Sequence, residues 1–256
     1  MTATPLPTVA AARFVLALRE GGSLPGLIEA DDGRLWVVKF RGAGQGLGAL
    51  VAEAIVGALA TTLGLPMPAL AILTIPPRFG ITDGDPEVND LLAASAGTNL
   101  AMAFIPGAIG YDASAGVAVD PTLAARILAF DVLVSNIDRS FRNPNLLLAG
   151  GRLWLIDHGA ALYWQHHWDG STANATARLP RLTEHVLAAV ADDVVAAARW
   201  VAETADDAAL TAALAVVPDE WLAADAEAAD TRRGAFVARL AARRAALPDL
   251  VAEVAR

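Results

Sequence analysis

The sequence predicts an α+β fold, with a β-rich N-terminal lobe containing one long helix and a mainly α-helical C-terminal lobe. Three observations predict it. The first hundred or so of the 256 residues break into short apolar runs bounded by Gly, Pro and Asp clusters, which read as strands and turns. From Pro121 onward most of the chain follows a helical pattern instead. No repeat or low-complexity linker interrupts it, and Pro106-Gly107 marks the change of pattern, giving lobes of residues 1–106 and 107–256.

Each element has its own signal. Arg13–Leu18 and Gly26–Ala30 read as strands around the turn-rich run Gly21-Gly22-Ser23-Leu24-Pro25-Gly26. Asp31-Asp32-Gly33 reads as a hairpin turn leading into a strand at Leu35–Phe40. Alternation puts Leu35, Val37 and Lys39 on one face of that strand. The uncharged run 54–77 raises the question of a membrane span, but Pro66 and Pro68 would break a spanning helix at its middle. It parses as the end of a helix over Leu47–Leu63, closed by Gly64, and a buried strand at Ala69–Ile75. A short helix from Pro86 and a strand over Asn99–Ile105 complete the first lobe. In the second, Pro121–Val134 reads as a helix, and Leu146–Leu148 and Leu153–Ile156 as strands joined at Gly150-Gly151. The chain from about Leu182 reads as helices broken near Asp206, Pro218 and Gly234.

Composition narrows the function. A 55% hydrophobic content is not that of a disordered chain. A formal charge of −9 and a pI near 4.8 argue against nucleic acid or an anionic membrane as the main partner. The absence of cysteine excludes disulfides, thiolate metal sites and cysteine nucleophiles. Met1–Ala12 does not read as a secretory signal, so the expected compartment is the cytoplasm. Among the 19 basic residues, Lys39 is the one lysine. In a background drifted towards Ala and Arg, it marks a position that needs a compact ammonium rather than a planar fork.

The strongest local signal is Asn136-Ile137-Asp138-Arg139-Ser140-Phe141-Arg142-Asn143, followed after two short strands by Asp157-His158-Gly159. An acid, an Asn five residues on and a second acid after a hairpin suit phosphoryl transfer. One carboxylate orients a substrate hydroxyl, while an amide oxygen and the second carboxylate hold magnesium against phosphates. On this reading Asp138 is the carboxylate that orients the hydroxyl, Asn143 and Asp157 are the metal ligands, and the antiparallel hairpin brings the latter two side by side. Taken singly, Asp138 also suits a cap or turn, and Asn143-Pro144-Asn145 is good turn chemistry.

These residues resemble the HipA-like branch of the protein-kinase fold, which shares its catalytic layout with phosphatidylinositol kinases; the likeness runs from about Arg13 to Trp168. The resemblance implies a two-lobed kinase-like fold and an ATP- and Mg²⁺-dependent phosphotransferase. It implies that Lys39 contacts the phosphates and that Glu53 on the following helix pairs with it. ATP would lie between the lobes, its adenine against Met102, Ala103 and Ile105. Toxin members of the family phosphorylate an aminoacyl-tRNA synthetase, which suggests Ser or Thr of a protein as acceptor; the chain is shorter than those toxins, and toxin activity is not part of the expectation. Small-molecule or lipid kinases on the same fold, and a nucleotide-binding pseudokinase, are the alternatives.

Glu53 sits about 100° around its helix from the Ile55–Leu59–Leu63 stripe, at the edge of the buried face. A buried carboxylate there needs a partner, for which Lys39 is the natural candidate, the alternative being a solvated Glu on the helix flank. Gly21, Gly22, Ser23 and Gly26 lie between two strands, and read either as a plain flexible turn or as a loop that covers ATP phosphates with its N–H groups. The second glycine run satisfies a dinucleotide fingerprint at Gly44-x-Gly46-x-x-Ala49, but no acidic residue closes the next strand to hold a ribose. Arg139 and Arg142 are read either as neutralising the transferred phosphoryl group or as surface residues. His166-His167 is a weak zinc signal, since adjacent side chains diverge. The aromatics around them read as docking this segment on the helical lobe.

Overall fold

Pairing of the short N-terminal runs closes a five-stranded barrel. The computed structural model describes residues 5–18, 24–80, 85–167, 169–223, 226–252 and 254. The chain clusters into two compact units, Pro5–Leu50 with Pro68–Pro106, and Val51–Met67 with Gly107–Arg256.

In the first unit the chain order is β1 (Thr8–Ala17), β2 (Gly26–Ala30), β3 (Leu35–Lys39), helix α1 (Gly46–Thr62), β4 (Leu70–Ile75), α2 (Pro86–Ala94) and β5 (Gly97–Ala103). From Val51 onward α1 belongs to the second unit. The strands close in the order β1-β2-β3-β5-β4, with β1 parallel to β4 and every other pair antiparallel. Trp36 and Val38 face the barrel core with Ile28, Leu73 and Ala101. The Leu35, Val37 and Lys39 face of β3 is the less buried one, with Lys39 half-buried. β3 pairs antiparallel on both sides, so the glycines after it open no parallel βαβ unit.

β1 starts at Thr8 rather than Arg13 because Val9 and Ala11 already face the core; three alanines in a row conceal that from a propensity reading. β5 ends at Ala103, two residues earlier than expected, since Phe104 turns out to solvent. Gly26 is fixed by packing. A Cβ there would lie 2.6 Å from the Phe40 ring. Gly64 closes α1 at φ +69, the left-handed backbone that favours glycine.

The second unit carries a small antiparallel sheet, β6 (Ile109–Gly110), β7 (Leu146–Ala149) and β8 (Arg152–Leu155), in that order. Between β6 and β7 runs α3 (Pro121–Leu133), begun by Asp120, whose side chain accepts the Leu123 N–H at 2.7 Å, and by Pro at its first position. The remaining helices are α4 (Val194–Thr204), α5 (Asp207–Ala215), α6 (Asp219–Leu222), α7 (Ala226–Ala245) and α8 (Leu247–Leu250). α3 is buried from Ala124 to Leu133, Arg126 excepted, and packs on α4, α7 and α8.

Two helical expectations are corrected. Leu182–Asp193 holds one 3-10 turn, Leu182–Glu184, because His185 is extended and bridged to Ser140. α7 runs through Gly234 without a break, an open position where glycine costs about 1 kcal/mol against alanine. Among the described residues no helix is long and apolar enough to cross a membrane.

Trp36 is fully buried at the centre of the barrel core. Trp36→Ala is expected to cost about 3–5 kcal/mol in urea unfolding; a loss below 1 kcal/mol would show that the barrel does not depend on it.

Candidate active site

The last turns of α3 carry one carboxylate in an otherwise apolar run, Ile127–Val134. Asp131 is fully buried and uses both oxygens. Oδ2 accepts from Arg139 Nε at 2.6 Å and from His185 Nε2 at 3.0 Å, and Oδ1 accepts from Asn136 Nδ2 at 2.9 Å. Burial alone would raise its pKa, but the Arg139 charge and the His185 hydrogen bond outweigh that and hold it well below the usual carboxylate range. His185 Nδ1 accepts the Leu187 N–H at 3.2 Å, so its ring proton sits on Nε2 facing Asp131.

Arg139 is the other half of this pair. Neither sequence expectation for it holds: its side chain is 0% exposed and its donors are spent internally. Nη1 donates to the Asn145 carbonyl, and Nη2 lies 3.0 Å from His158 Nε2. A guanidinium only donates, so Nε2 accepts and the ring proton of His158 is on Nδ1. His158 Nδ1 lies 3.6 Å from Glu53 Oε1, beyond hydrogen-bond distance, and the link to Glu53 is the His158 backbone N–H, which Oε2 accepts at 2.7 Å. α1 is buried almost all round here, so Glu53 lies inside rather than at the edge of the apolar face. A chain of buried groups thus runs from Asp131 through Arg139 and His158 to Glu53.

The exposed end of this scaffold carries the predicted site. Asp138 is half-buried, and its Oδ2 accepts from Asn143 Nδ2 at 2.8 Å and Asn145 Nδ2 at 3.1 Å. Asn145 also donates to the Asp157 carbonyl at 3.4 Å, and its own carbonyl accepts the Ile156 N–H at 3.1 Å. The hairpin therefore sets Asn145, rather than Asn143, against the Asp157 segment. Asn145 and Asp157 both hold positive φ, 49 and 56, a strained backbone that surrounding bonds must maintain.

The donor set suits magnesium. The Asn143 amide nitrogen is used by Asp138, and its Oδ1 bonds to no described residue. With the Asp157 carboxylate this offers two hard oxygens, and magnesium takes its remaining ligands from phosphate and water. Among the described residues no group of three or more His, Asp or Glu is placed to hold a metal by itself.

After Asp157-His158-Gly159, a 3-10 turn over Tyr163–His167 docks on α7, as its aromatics suggest. Trp164 meets Phe236 with ring centroids 5.2 Å apart and lies under Arg239 at 4.6 Å. Arg239 Nη1 donates to the carbonyls of Ser171 and Ala173 at 3.0 and 2.7 Å. Arg243 donates to Val132, Ala175 and Ala177 carbonyls at 2.6–2.8 Å. Burial pushes the Arg243 pKa down to about 10. Two arginines one helical turn apart thus staple segment 171–177 to the end of α3.

The other predicted residues fall in the barrel unit. Lys39 ends β3 opposite Leu100; Met102 pairs with Val37 and Leu70, and Ala103 with Trp36. Ile105 lies beyond β5, half-buried. Gly26 is in β2, whereas Gly21, Gly22 and Ser23 lie outside the described residues.

Sequence reasoning missed Asp131, Asn145 and His185. An acid inside the apolar run of α3 was the available signal for Asp131. His185 carried none, being 54 positions from its partner.

The fold is that of a kinase. The chain is similar to the solved structure of the Helicobacter pylori proinflammatory kinase CtkA, with a TM-score of 0.63 and 12% identity over 98% of each chain. The family model for HipA-like kinases matches residues 13–243, so the chain belongs to the HipA-like kinase family. A comparison with curated proteins finds no match.

The buried pair sets a pH dependence. The Asp131 carboxyl is more acidic folded than unfolded, so its contribution is present above the unfolded value of about 4 and lost as pH falls through the folded value. Asp131→Asn is expected to cost about 3–5 kcal/mol at pH 7, because Arg139 is left buried and unpaired, and to flatten the acid limb of the stability profile. Urea melts at several pH values test this; an unchanged acid limb would remove Asp131 from the account.

Proposed function

We propose that this HipA-like kinase uses ATP and magnesium to phosphorylate a serine or threonine hydroxyl on a protein. The observation that carries this reading is the shared bonding of Asp138, Asn143 and Asn145, with Asn145 also tied to the Asp157 backbone. An acid, two amide groups and the backbone of a second acid are thereby joined in one hydrogen-bonded patch on a buried support. Magnesium, when bound by Asn143 and Asp157, would neutralise phosphate charge and align the triphosphate. Lys39 would contact the phosphates, and Met102, Ala103 and Ile105 would line the adenine.

Asp138 acts on the acceptor. Its carboxylate receives the hydroxyl proton as the acceptor oxygen bonds to the γ-phosphorus and the bond from that phosphorus to the β,γ-bridging oxygen breaks. ADP leaves, and the proton passes to solvent. Asn143 and Asn145 hold the carboxylate in place through the reaction, so little reorganisation is needed. Arg139 takes no part in charge neutralisation, because its donors are committed to Asp131, His158 and main-chain carbonyls.

Asp138→Asn is expected to lower phosphoryl transfer about 10²–10⁴-fold while ATP affinity by calorimetry stays near that of the parent. Transfer at the parent rate would remove Asp138 from the chemistry. Asp157→Asn is expected to abolish the magnesium dependence of nucleotide binding instead.

A further inference from the structure

Beside Asp138 the chain exposes two large apolar side chains. Ile137 is 48% and Phe141 58% exposed. Neither is loosely held. The Asp138 N–H donates to Asn136 Oδ1 at 3.2 Å, closing a turn with Ile137 at its middle. Ser140 and Asn143 exchange backbone bonds, N–H to carbonyl, at 3.0 and 3.2 Å, so Phe141 and Arg142 are the two tip residues of a tight loop. That loop is anchored by the Ser140–His185 bridge and by the Val186 N–H on the Arg139 carbonyl. Arg142 is exposed and makes no ion pair with any described residue.

Folding gains little from a phenylalanine displayed in this way. An apolar residue carried on an already fixed backbone has little main-chain freedom to lose on association, which favours a recognition contact. Phe141 is three positions on from Asp138, a backbone reach of at most about 11 Å. Ile137, Phe141 and Arg142 thus stand within one to four positions of Asp138, near enough for a segment that presents its hydroxyl there to reach them.

We infer that the Ile137–Phe141–Arg142 tip is an acceptor-docking surface that selects a polypeptide segment carrying an apolar side chain and a carboxylate within about three residues of the acceptor hydroxyl. This deepens the phosphotransferase reading and rests on it. Arg142 matches the carboxylate, and Ile137 with Phe141 the apolar side chain. A polar metabolite would leave both apolar residues wet. A lipid would cover them, but the net charge of −9 opposes approach to an anionic bilayer.

The test uses synthetic peptides with one serine flanked either by leucine and glutamate or by glycine and lysine. The leucine–glutamate peptide is expected to have a KM at least about tenfold lower. Phe141→Ser should raise that KM about tenfold, the loss falling on KM rather than kcat. Arg142→Glu should shift preference towards lysine-bearing peptides. Peptide binding by titration calorimetry should follow the same order without turnover. Equal KM for the two peptides, or no effect of Phe141→Ser together with Ile137→Ser, would overturn the inference. So would labelling of phosphatidylinositol in phosphatidylcholine vesicles with no peptide labelled. Asp138→Asn separates the two levels: Asp138-dependent ADP release without peptide preference sinks the docking surface alone, whereas transfer that survives Asp138→Asn sinks the reading beneath it.

Discussion

A carboxylate buried without a partner would not stay ionised, and Asp131 is ionised because Arg139 reaches it. Much of the site's geometry descends from that pair. Arg139 follows Asp138 directly, so fixing its guanidinium between Asp131 and His158 fixes the backbone from which Asp138 projects. Its Nη1 bond to the Asn145 carbonyl carries the constraint into the hairpin. His158 carries it to Glu53 and therefore to α1. Replacing such a pair with apolar residues is often neutral for stability; its value here is positional.

The same logic recurs at α7. Arg239 and Arg243 satisfy main-chain carbonyls of an irregular segment that has little secondary structure to satisfy them. Burying two arginines is costly, and the depressed pKa of Arg243 reflects that cost. In exchange, residues 171–177 are held against the end of α3, the helix that carries Asp131. The Asp138 loop, the hairpin and this segment thus share one support.

Much of this was legible in the sequence. Strand and helix positions followed from apolar spacing and from Gly and Pro, and most boundaries fell within two residues of those observed. The exceptions have physical causes. Alanines hid the start of β1, and His185 pulled its segment out of helix to bond with Asp131. The spacing of Asp138 and Asn143 gave their hydrogen bond, but the hairpin sets Asn145 rather than Asn143 against the Asp157 backbone, a register that spacing alone did not reveal. Arg139 was not legible: burial of a guanidinium depends on partners that lie far away in sequence, and nothing local distinguishes it from Arg142 three positions on.

The most direct test is a crystal structure with a non-hydrolysable ATP analogue and magnesium. Arg139 is expected to remain on Asp131 and His158, with the metal on Asn143 and Asp157. An Arg139 side chain swung out onto the terminal phosphate, with Asp131 left to other partners, would contradict the support role on which this picture rests.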